Sequence, residues 1–322
     1  MTSPTTHKVS ELKETENKNM SKLNFSPIQL EDKSWIDPIF KREQSQSSGA
    51  CFANIFIWSP AFHQQVAKVE DGLAIKLAYQ GSPLYSFPAG VSDLTSAILA
   101  MRADATTYGV PFSMLGITEK TRERLELAFP DHFVFLPDAS LSDYIYEVEK
   151  LAQLPGKKLS SKRNHINRFV ENHPDYQFEI IGAHNLQECI EMSREWMRLR
   201  QQSSSFSDEW DALRLAFAHF ETLGFEGGLL RVDGKVIAFT IGEVLNDDTY
   251  VLHFEKAFAD MQGAYPMINR EFARHIAETY PQILYINREE DMGLESLQKA
   301  KRSYYPCHMV EKYTAIWKTD LL

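Results

Sequence analysis

Between Gln65 and Gly90 ("QVAKVEDGLAIKLAYQGSPLYSFPAG"), short apolar runs are separated by Asp71-Gly72 and Gln80-Gly81. Asp-Gly between alternating apolar residues is a hairpin signal, because glycine reaches the left-handed conformations that tight turns need. Three strands are therefore predicted. The period then lengthens to that of a helix over about Ser92–Tyr108, with Leu94, Ile98, Leu99 and Met101 on one side. A strand is predicted at Val110–Ile117. Next come a helix opened by Thr118 as N-cap, Pro130, and the strand-like "HFVFL".

The second half repeats this order. "GLLRVDGKVIAFTIGEVLNDDTYVLHFEKA" (Gly228–Ala257) reads as three strands, turned at Asp233-Gly234 and Asn246-Asp247-Asp248. A helix follows from Pro266 to about Thr279, with Ile268, Phe272, His275, Ile276 and Thr279 on one face. Then come the strand "QILYI", the helix "LESLQKAKRS", Pro306 and the strand "MVEKYTAIW". Each half is thus a three-strand meander, helix, strand, helix, strand. The segmentation is a polar tail over 1–23, a first lobe over 24–150, a connection over 151–180 and a second lobe over 181–322. The aromatic "FANIFIWSP" (Phe52–Pro60) is expected in the core of the first lobe or along a cleft. Gln201–Ser207 is expected as a flexible connector and a lid over the site.

The connection changes the electrostatic picture. Pro155-Gly156 interrupts it, and Leu159, Ile166, Phe169 and Val170 then recur at helical spacing. Lys150, Lys157, Lys158, Lys162, Arg163 and Arg168 fall within this stretch, with no acid among them. The chain as a whole has 34 Lys and Arg against 44 Asp and Glu, a net charge of -10. Bulk charge therefore disfavours polyanions, and a phosphate-bearing partner has to be held by this local patch. A solvated helix face is the alternative.

The 322 residues, 43% hydrophobic and 24% charged, allow one large domain or two ordinary ones. Cys51, Cys189 and Cys307 are far apart, which predicts reduced thiols and a cytoplasmic protein. No apolar run of about 18 residues offers a transmembrane helix, and the N-terminus lacks the apolar core of a signal peptide. The ten histidines show no HExxH-like spacing, which argues against a metal site. GxSxG, Walker and GxGxxG patterns are also missing.

The doubled order resembles the acyltransferase fold of the GNAT superfamily used twice. Four stretches carry a narrower resemblance: "SSGACFANIFIWSP", "LPGKKLSSKRNHINRF", "LHFEKAFADMQGAYPMINREFA" and "YINREEDMGLESLQKAKRSYYP". They resemble the DUF2156 family, and with it the catalytic domain of phosphatidylglycerol lysyltransferases and the Fem-type transferases. The implied fold class is α/β, with two tandem GNAT-like lobes, each a mixed, mostly antiparallel sheet flanked by helices. The implied activity is aminoacyl transfer. The implied donor is aminoacyl-tRNA, held by local basic patches, and the acceptor is a small molecule or headgroup bearing an amine or hydroxyl. No further cofactor is required. The membrane helices of the lysyltransferases are not among these residues.

In a GNAT-type fold the fourth and fifth strands splay and the acyl donor sits between them. Here those strands would be "TYVLHFEKA" and "ILYIN", so Glu255, Lys256, Asn287, Arg288, Glu290 and Asp291 reach one rim. Acyl transfer needs a group to take the nucleophile's proton and a donor to meet the oxyanion. Glu255, Glu290 and Asp291 are candidates for the first role and Arg288 for binding an anion. Arg288, Glu289 and Glu290 would serve equally as a salt-bridge cluster closing the strand. Lys158, Lys162 and Arg163, with Lys299, Lys301 and Arg302 past the rim, are candidate phosphate contacts. Tyr304 and Tyr305 would stack on a base or pack. The loop "ADMQGAYP" departs from the [Q/R]-x-x-G-x-[G/A] pattern of acetyl-CoA enzymes, and Pro266 removes an N–H from the helix start. The alternatives are a CoA-dependent N-acyltransferase, a lipid-headgroup transferase and a non-catalytic binding protein.

Overall fold

The computed structural model describes residues 22–79, 81–200 and 205–321. The expected N-terminal tail, the turn residue Gln80 and the first part of the expected lid lie outside the described residues.

In chain order, β1 (Ser26–Pro27) and α1 (Lys33–Glu43) precede α2 (Phe52–Ile57). A meander of β2 (Gln65–Val69), β3 (Gly72–Tyr79) and β4 (Ser82–Ser86) leads to α3 (Leu94–Thr106), β5 (Ser113–Thr118), α4 (Glu119–Ala128) and β6 (Phe133–Pro137). Then come β7 (Asp143–Glu147), α5 (Val148–Gln153), α6 (Ser160–Asn172), β8 (Gln177–Ile180), α7 (Leu186–Arg200) and α8 (Ser205–Ala218). A second meander of β9 (Glu226–Val232), β10 (Lys235–Val244) and β11 (Thr249–Ala257) leads to α9 (Ala264–Thr279), β12 (Tyr285–Asn287), α10 (Glu295–Arg302), β13 (His308–Val310) and β14 (Lys312–Trp317). The doubled order of the sequence is present, and both units are mixed α/β.

Among the described residues, the first unit comprises 22–43, 62–79, 81–137 and 312–321. Its sheet runs β1-β2-β3-β4-β5-β14-β6, with only β4 and β5 parallel. Asp93 accepts a hydrogen bond from the Ser96 amide at the start of α3, and Thr118 and Thr121 cap α4 reciprocally. Each such cap is worth about 1 kcal/mol. Ala97, Ile98 and Met101 of α3 bury fully with Phe112, Met114 and Ile117.

The second unit comprises Gln44–Ala61 and Asp138–Glu311. Its sheet runs β13-β7-β12-β11-β10-β9-β8. Along α9, Met267, Ile268, Phe272 and Ile276 form a fully buried stripe over the sheet, and each contributes about 1.5–3 kcal/mol by leaving water.

Two expectations are corrected. "MVEKYTAIW" is not one strand of the second lobe: β13 pairs with β7 in the second sheet, whereas β14 lies between β5 and β6 in the first. β7, from the stretch assigned to the first lobe, pairs with β12 in the second sheet. Strand propensity says nothing of which backbone completes the ladder, so this exchange is set by tertiary pairing. The "FANIFIWSP" stretch belongs to the second unit, where Cys51 buries with Leu245 and Val251 and Phe56 meets the His219 ring edge-on at 5.6 Å.

Candidate functional site

β11 and β12 run parallel and pair only at Thr249–Val251 with Tyr285–Asn287. Beyond Val251, β11 continues while β12 ends, so the two strands part as the resemblance implies. A bulge sets what faces the gap. On β11, Leu252 opposes Gly242 and Phe254 opposes Ile241, leaving His253 as the extra residue. An inserted residue reverses the alternation beyond it. Tyr250, Leu252 and Ala257 pack in the core under α9. Glu255 joins them, bonded to Asn269 of α9. Val251 packs in a separate cluster with Cys51.

Glu255 and Arg288 form a largely buried ion pair, Nη2 to Oε1 at 2.8 Å, with side chains 13% and 12% exposed. Asn269 Nδ2 donates to Glu255 Oε2 at 3.0 Å. The guanidinium lies 4.9 Å from the Tyr304 ring centroid and 5.6 Å from that of Tyr146. Lys162 Nζ from α6 lies 4.0 Å from the Tyr304 ring. Burial alone would lower the pKa of Arg288, but the Glu255 carboxylate, together with Tyr146 and Tyr304, outweighs it and the net shift is upward. Burial, reinforced by the Arg288 charge, brings Lys162 down to about 8. Burial pushes the Tyr146 and Tyr304 phenols up, so both stay neutral donors. Arg288 Nη1 is buried and finds no acceptor among the described residues. A buried guanidinium N–H without a partner is costly and marks a place where an anionic or carbonyl oxygen is welcome.

The loop carrying Arg288 is held from beneath. Lys301 Nζ donates to the carbonyls of Arg288 at 2.7 Å and Glu289 at 3.1 Å, and to that of Glu290. Burial lowers its pKa to about 8. This corrects its reading as a phosphate contact, because its three N–H donors are spent on the loop. Asp291 is fully buried and accepts from Tyr144 OH at 2.6 Å and from the Gly293 amide at 2.9 Å. It shapes the turn rather than facing the gap. Arg163 Nη1 bonds the carbonyls of Leu154 and Gly156 and closes the α5–α6 connection, again a structural use.

Alternation divides the remaining candidates. Lys256 points away from Glu255, to Glu209 and to the Trp196 ring at 4.3 Å. Asn287 is fully buried and donates to Gln46 O at 2.7 Å and Asp143 Oδ2 at 3.2 Å. Both leave the Arg288 side of the sheet. The Glu290 side chain is partly exposed, and Lys158, Lys299 and Arg302 are exposed. Lys158 Nζ sits 5.4 Å from the Tyr305 ring. The structure therefore gathers Glu255, Arg288 and Lys162, with Tyr146, Tyr304 and Asn269. Sequence reasoning missed Tyr146 and Asn269. Tyr146 comes from the exchanged strand β7, so no local spacing signals it.

α6 also shapes the start of α9. A Cβ on Gly263, just before α9, would lie 2.4 Å from His165 O and 3.0 Å from Phe169 Cβ. Gly263 also has φ +89°, so glycine is required twice over. α6 thus seats against the first turn of α9, and Pro266 contributes no N–H there. A pocket of about 450 Å³, lined by Gln44, Gln46, Asn246, Tyr285 and His308 among others, opens by the Thr249 end of β11. It contains none of the candidate residues. Its amides are largely used within the protein: Gln46 Oε1 and His308 Nε2 lie 2.9 Å apart, and Asn246 Nδ2 donates to Ser45 O at 2.9 Å.

Comparison with known proteins gives a family and a fold. The profile of the family described as phosphatidylglycerol lysyltransferase, C-terminal, matches residues 40–316. A crystal structure of a conserved protein of unknown function from Bacteroides thetaiotaomicron is 39% identical. It has a TM-score of 0.85 and covers 92% of this chain and 99% of that one. The C-terminal domain (DUF2156) of a protein described as a lysylphosphatidylglycerol synthetase from Agrobacterium fabrum is 16% identical, with a TM-score of 0.64 and coverage of 89% and 91%. FemX is 10% identical, with a TM-score of 0.60 and coverage of 92% and 98%. At these low identities the last two show the fold alone. An uncharacterised protein of Mycoplasmoides gallisepticum is 22% identical over 200 residues, 61% of this chain, and the match spans 63% of that curated relative's length. Among the described residues, no helix is long and apolar enough to cross a membrane.

Proposed function

Because this chain belongs to the family of phosphatidylglycerol lysyltransferase C-terminal domains, we propose that it transfers an aminoacyl group from aminoacyl-tRNA to an amine or hydroxyl acceptor. The family supports a transferase. The donor and the mode of attack are our reading of the site. The observation that carries it is the Arg288–Glu255 pair where β11 and β12 part, with Arg288 Nη1 buried and unpartnered among the described residues.

The acceptor nitrogen or oxygen attacks the ester carbonyl directly. A bond forms from acceptor to carbonyl carbon, the carbon–oxygen bond to the ribose breaks, and the acceptor's proton ends on the ribose hydroxyl. Arg288 Nη1 stabilises the oxyanion that develops on the way. Glu255 relays the proton, while Asn269 and Arg288 fix its orientation. Lys162, cationic below about pH 8, favours the phosphate next to the scissile ester. An acyl-CoA donor is the second reading. The seating of α6 against Gly263 and the proline at 266 weigh against it, because both occupy the helix start that a pyrophosphate would use.

The test is single-turnover transfer from a mixed pool of labelled aminoacyl-tRNAs to a panel of amine and hydroxyl acceptors, with acetyl-CoA as the competing donor. We expect label to leave tRNA for an acceptor, and Arg288→Lys to slow this step by about 10²–10³, the usual cost of losing one oxyanion donor. Transfer from acetyl-CoA at equal or greater rate would replace this donor by CoA.

A further inference from the structure

On the face of the sheet away from Arg288, three elements and one loop aim polar side chains at one buried point. Cys51 stands at the start of α2, Glu243 near the end of β10, His253 at the bulge of β11 and Glu289 just past β12. The Cys51 Sγ, a Glu243 carboxylate oxygen and a His253 ring nitrogen lie within 4.8 Å of one another. His253 Nε2 lies 3.1 Å from Glu243 Oε1, and Nδ1 lies 2.8 Å from Glu289 Oε1. The His253 side chain is fully buried, and each of these glutamates is 14% exposed. Asn54 Nδ2 donates to the same Glu289 oxygen at 3.1 Å.

Two backbone irregularities serve this convergence. The bulge turns His253 toward Glu243, and Glu289 holds φ +58°, in the left-handed region that non-glycine residues rarely adopt. A tetrahedral zinc with ordinary bond lengths sets its ligand atoms roughly 3.3–3.6 Å apart. His253 Nε2 and Glu243 Oε1 are already close to that spacing at 3.1 Å, and Cys51 Sγ, within 4.8 Å of both ligand groups, would move inward to reach it. A thiolate, an imidazole and a carboxylate suit zinc, whereas calcium and magnesium prefer oxygen alone. Glu289 then takes the position that outer carboxylates hold at zinc sites, accepting the far N–H of the ligating histidine and fixing its tautomer.

We propose that Cys51, Glu243 and His253 bind a zinc ion, with Glu289 as the positioning carboxylate behind His253. The site is separate from the Arg288–Glu255 pair, but Glu289 adjoins Arg288 in the chain. The zinc would pin the loop whose other face carries the guanidinium. Binding displaces the thiol proton of Cys51, and the His253 nitrogen that ligates must be free of its own proton, so zinc binding releases protons.

The full chain, stripped with a chelator, is titrated with zinc and with cobalt(II) alone. We expect one metal per chain and, with cobalt, a thiolate-to-metal charge-transfer band. Cys51→Ser should remove the band, and Glu289→Gln should weaken zinc about ten- to a hundred-fold. Circular dichroism of each variant checks that it folds. If Cys51→Ser does not fold, the charge-transfer band of the unaltered protein decides alone. No bound metal at several equivalents, or bound cobalt without a thiolate band, overturns the proposal and leaves a metal-free hydrogen-bond network. So does zinc affinity unchanged in folded Cys51→Ser and Glu289→Gln proteins.

Discussion

At Lys162 the surroundings change the charge within the working pH range. With a pKa near 8 rather than 10.5, the lysine loses its charge as pH rises through about 8. If its ammonium meets a substrate phosphate, affinity for the anionic donor is full below that pH and declines above it. Lys162→Arg keeps the charge and should flatten the profile, which binding measured from pH 6 to about 9.5 would reveal. Lys301 makes a different prediction. Its folded pKa is also about 8, so between about 8 and 10 the unfolded chain binds more protons and stability rises with pH. Above about 10 the buried tyrosines reverse the trend, because Tyr146 and Tyr304 ionise more readily once unfolded. Lys301→Met should reduce the rise between 8 and 10 in urea unfolding series. It should also free the carbonyls of residues 288–290, raising amide exchange in that loop. An unaltered exchange pattern would remove Lys301 from its supporting role.

At the scale of elements, the strand exchange makes a prediction that no single lobe would. β14 pairs on both sides in the first sheet, with β5 and β6. A chain ending at Glu311 leaves those strands with unpaired ladders and loses the buried Trp317, whose ring meets Phe129 edge-on at 5.3 Å. We expect such a truncation to unfold the first unit although nearly all of its residues remain, detectable by proteolysis within Phe62–Pro137. Persistence of that region as a resistant fragment would contradict the pairing. The hairpins at Asp71-Gly72 and Asp233-Gly234, the Thr118 cap and the Ile268, Phe272 and Ile276 part of the α9 stripe were legible in sequence, because each is a local consequence of residue type, whereas Thr279, expected on the same face, is exposed. Partner choice for β7 and β14 was not, because any strand-forming sequence satisfies a ladder equally. The opposite directions of Glu255 and Lys256 follow from simple alternation. That Glu255 is the one under α9 depends on the His253 bulge, which carries no local sign. Lys301 was misread for a related reason: in sequence it is one more base on a basic helix, and only burial beneath the loop commits it to carbonyls. The proposed zinc ligands escaped notice because 51, 243 and 253 form no short motif.

At the scale of the whole molecule, a net charge of -10 bears on the polyanionic donor proposed above. The reconciliation is local: Lys158 and Lys162 come from α6 and its approach, Lys299 and Arg302 from α10, and all four lie in the second unit with Arg288. Distant acids are screened beyond about 8–10 Å at ordinary ionic strength, so the net charge does not prevent a small basic patch from holding phosphates. Affinity should then fall with salt at a slope set by the few phosphates neutralised. The most direct measurement is binding of the full chain to aminoacyl-tRNA, uncharged tRNA and acetyl-CoA across a salt series, repeated with Lys158→Ala/Lys162→Ala. The account predicts that charged tRNA binds best, that its affinity drops with salt, and that the double variant weakens binding and flattens the slope. Tight binding of acetyl-CoA with no preference for charged tRNA would contradict it.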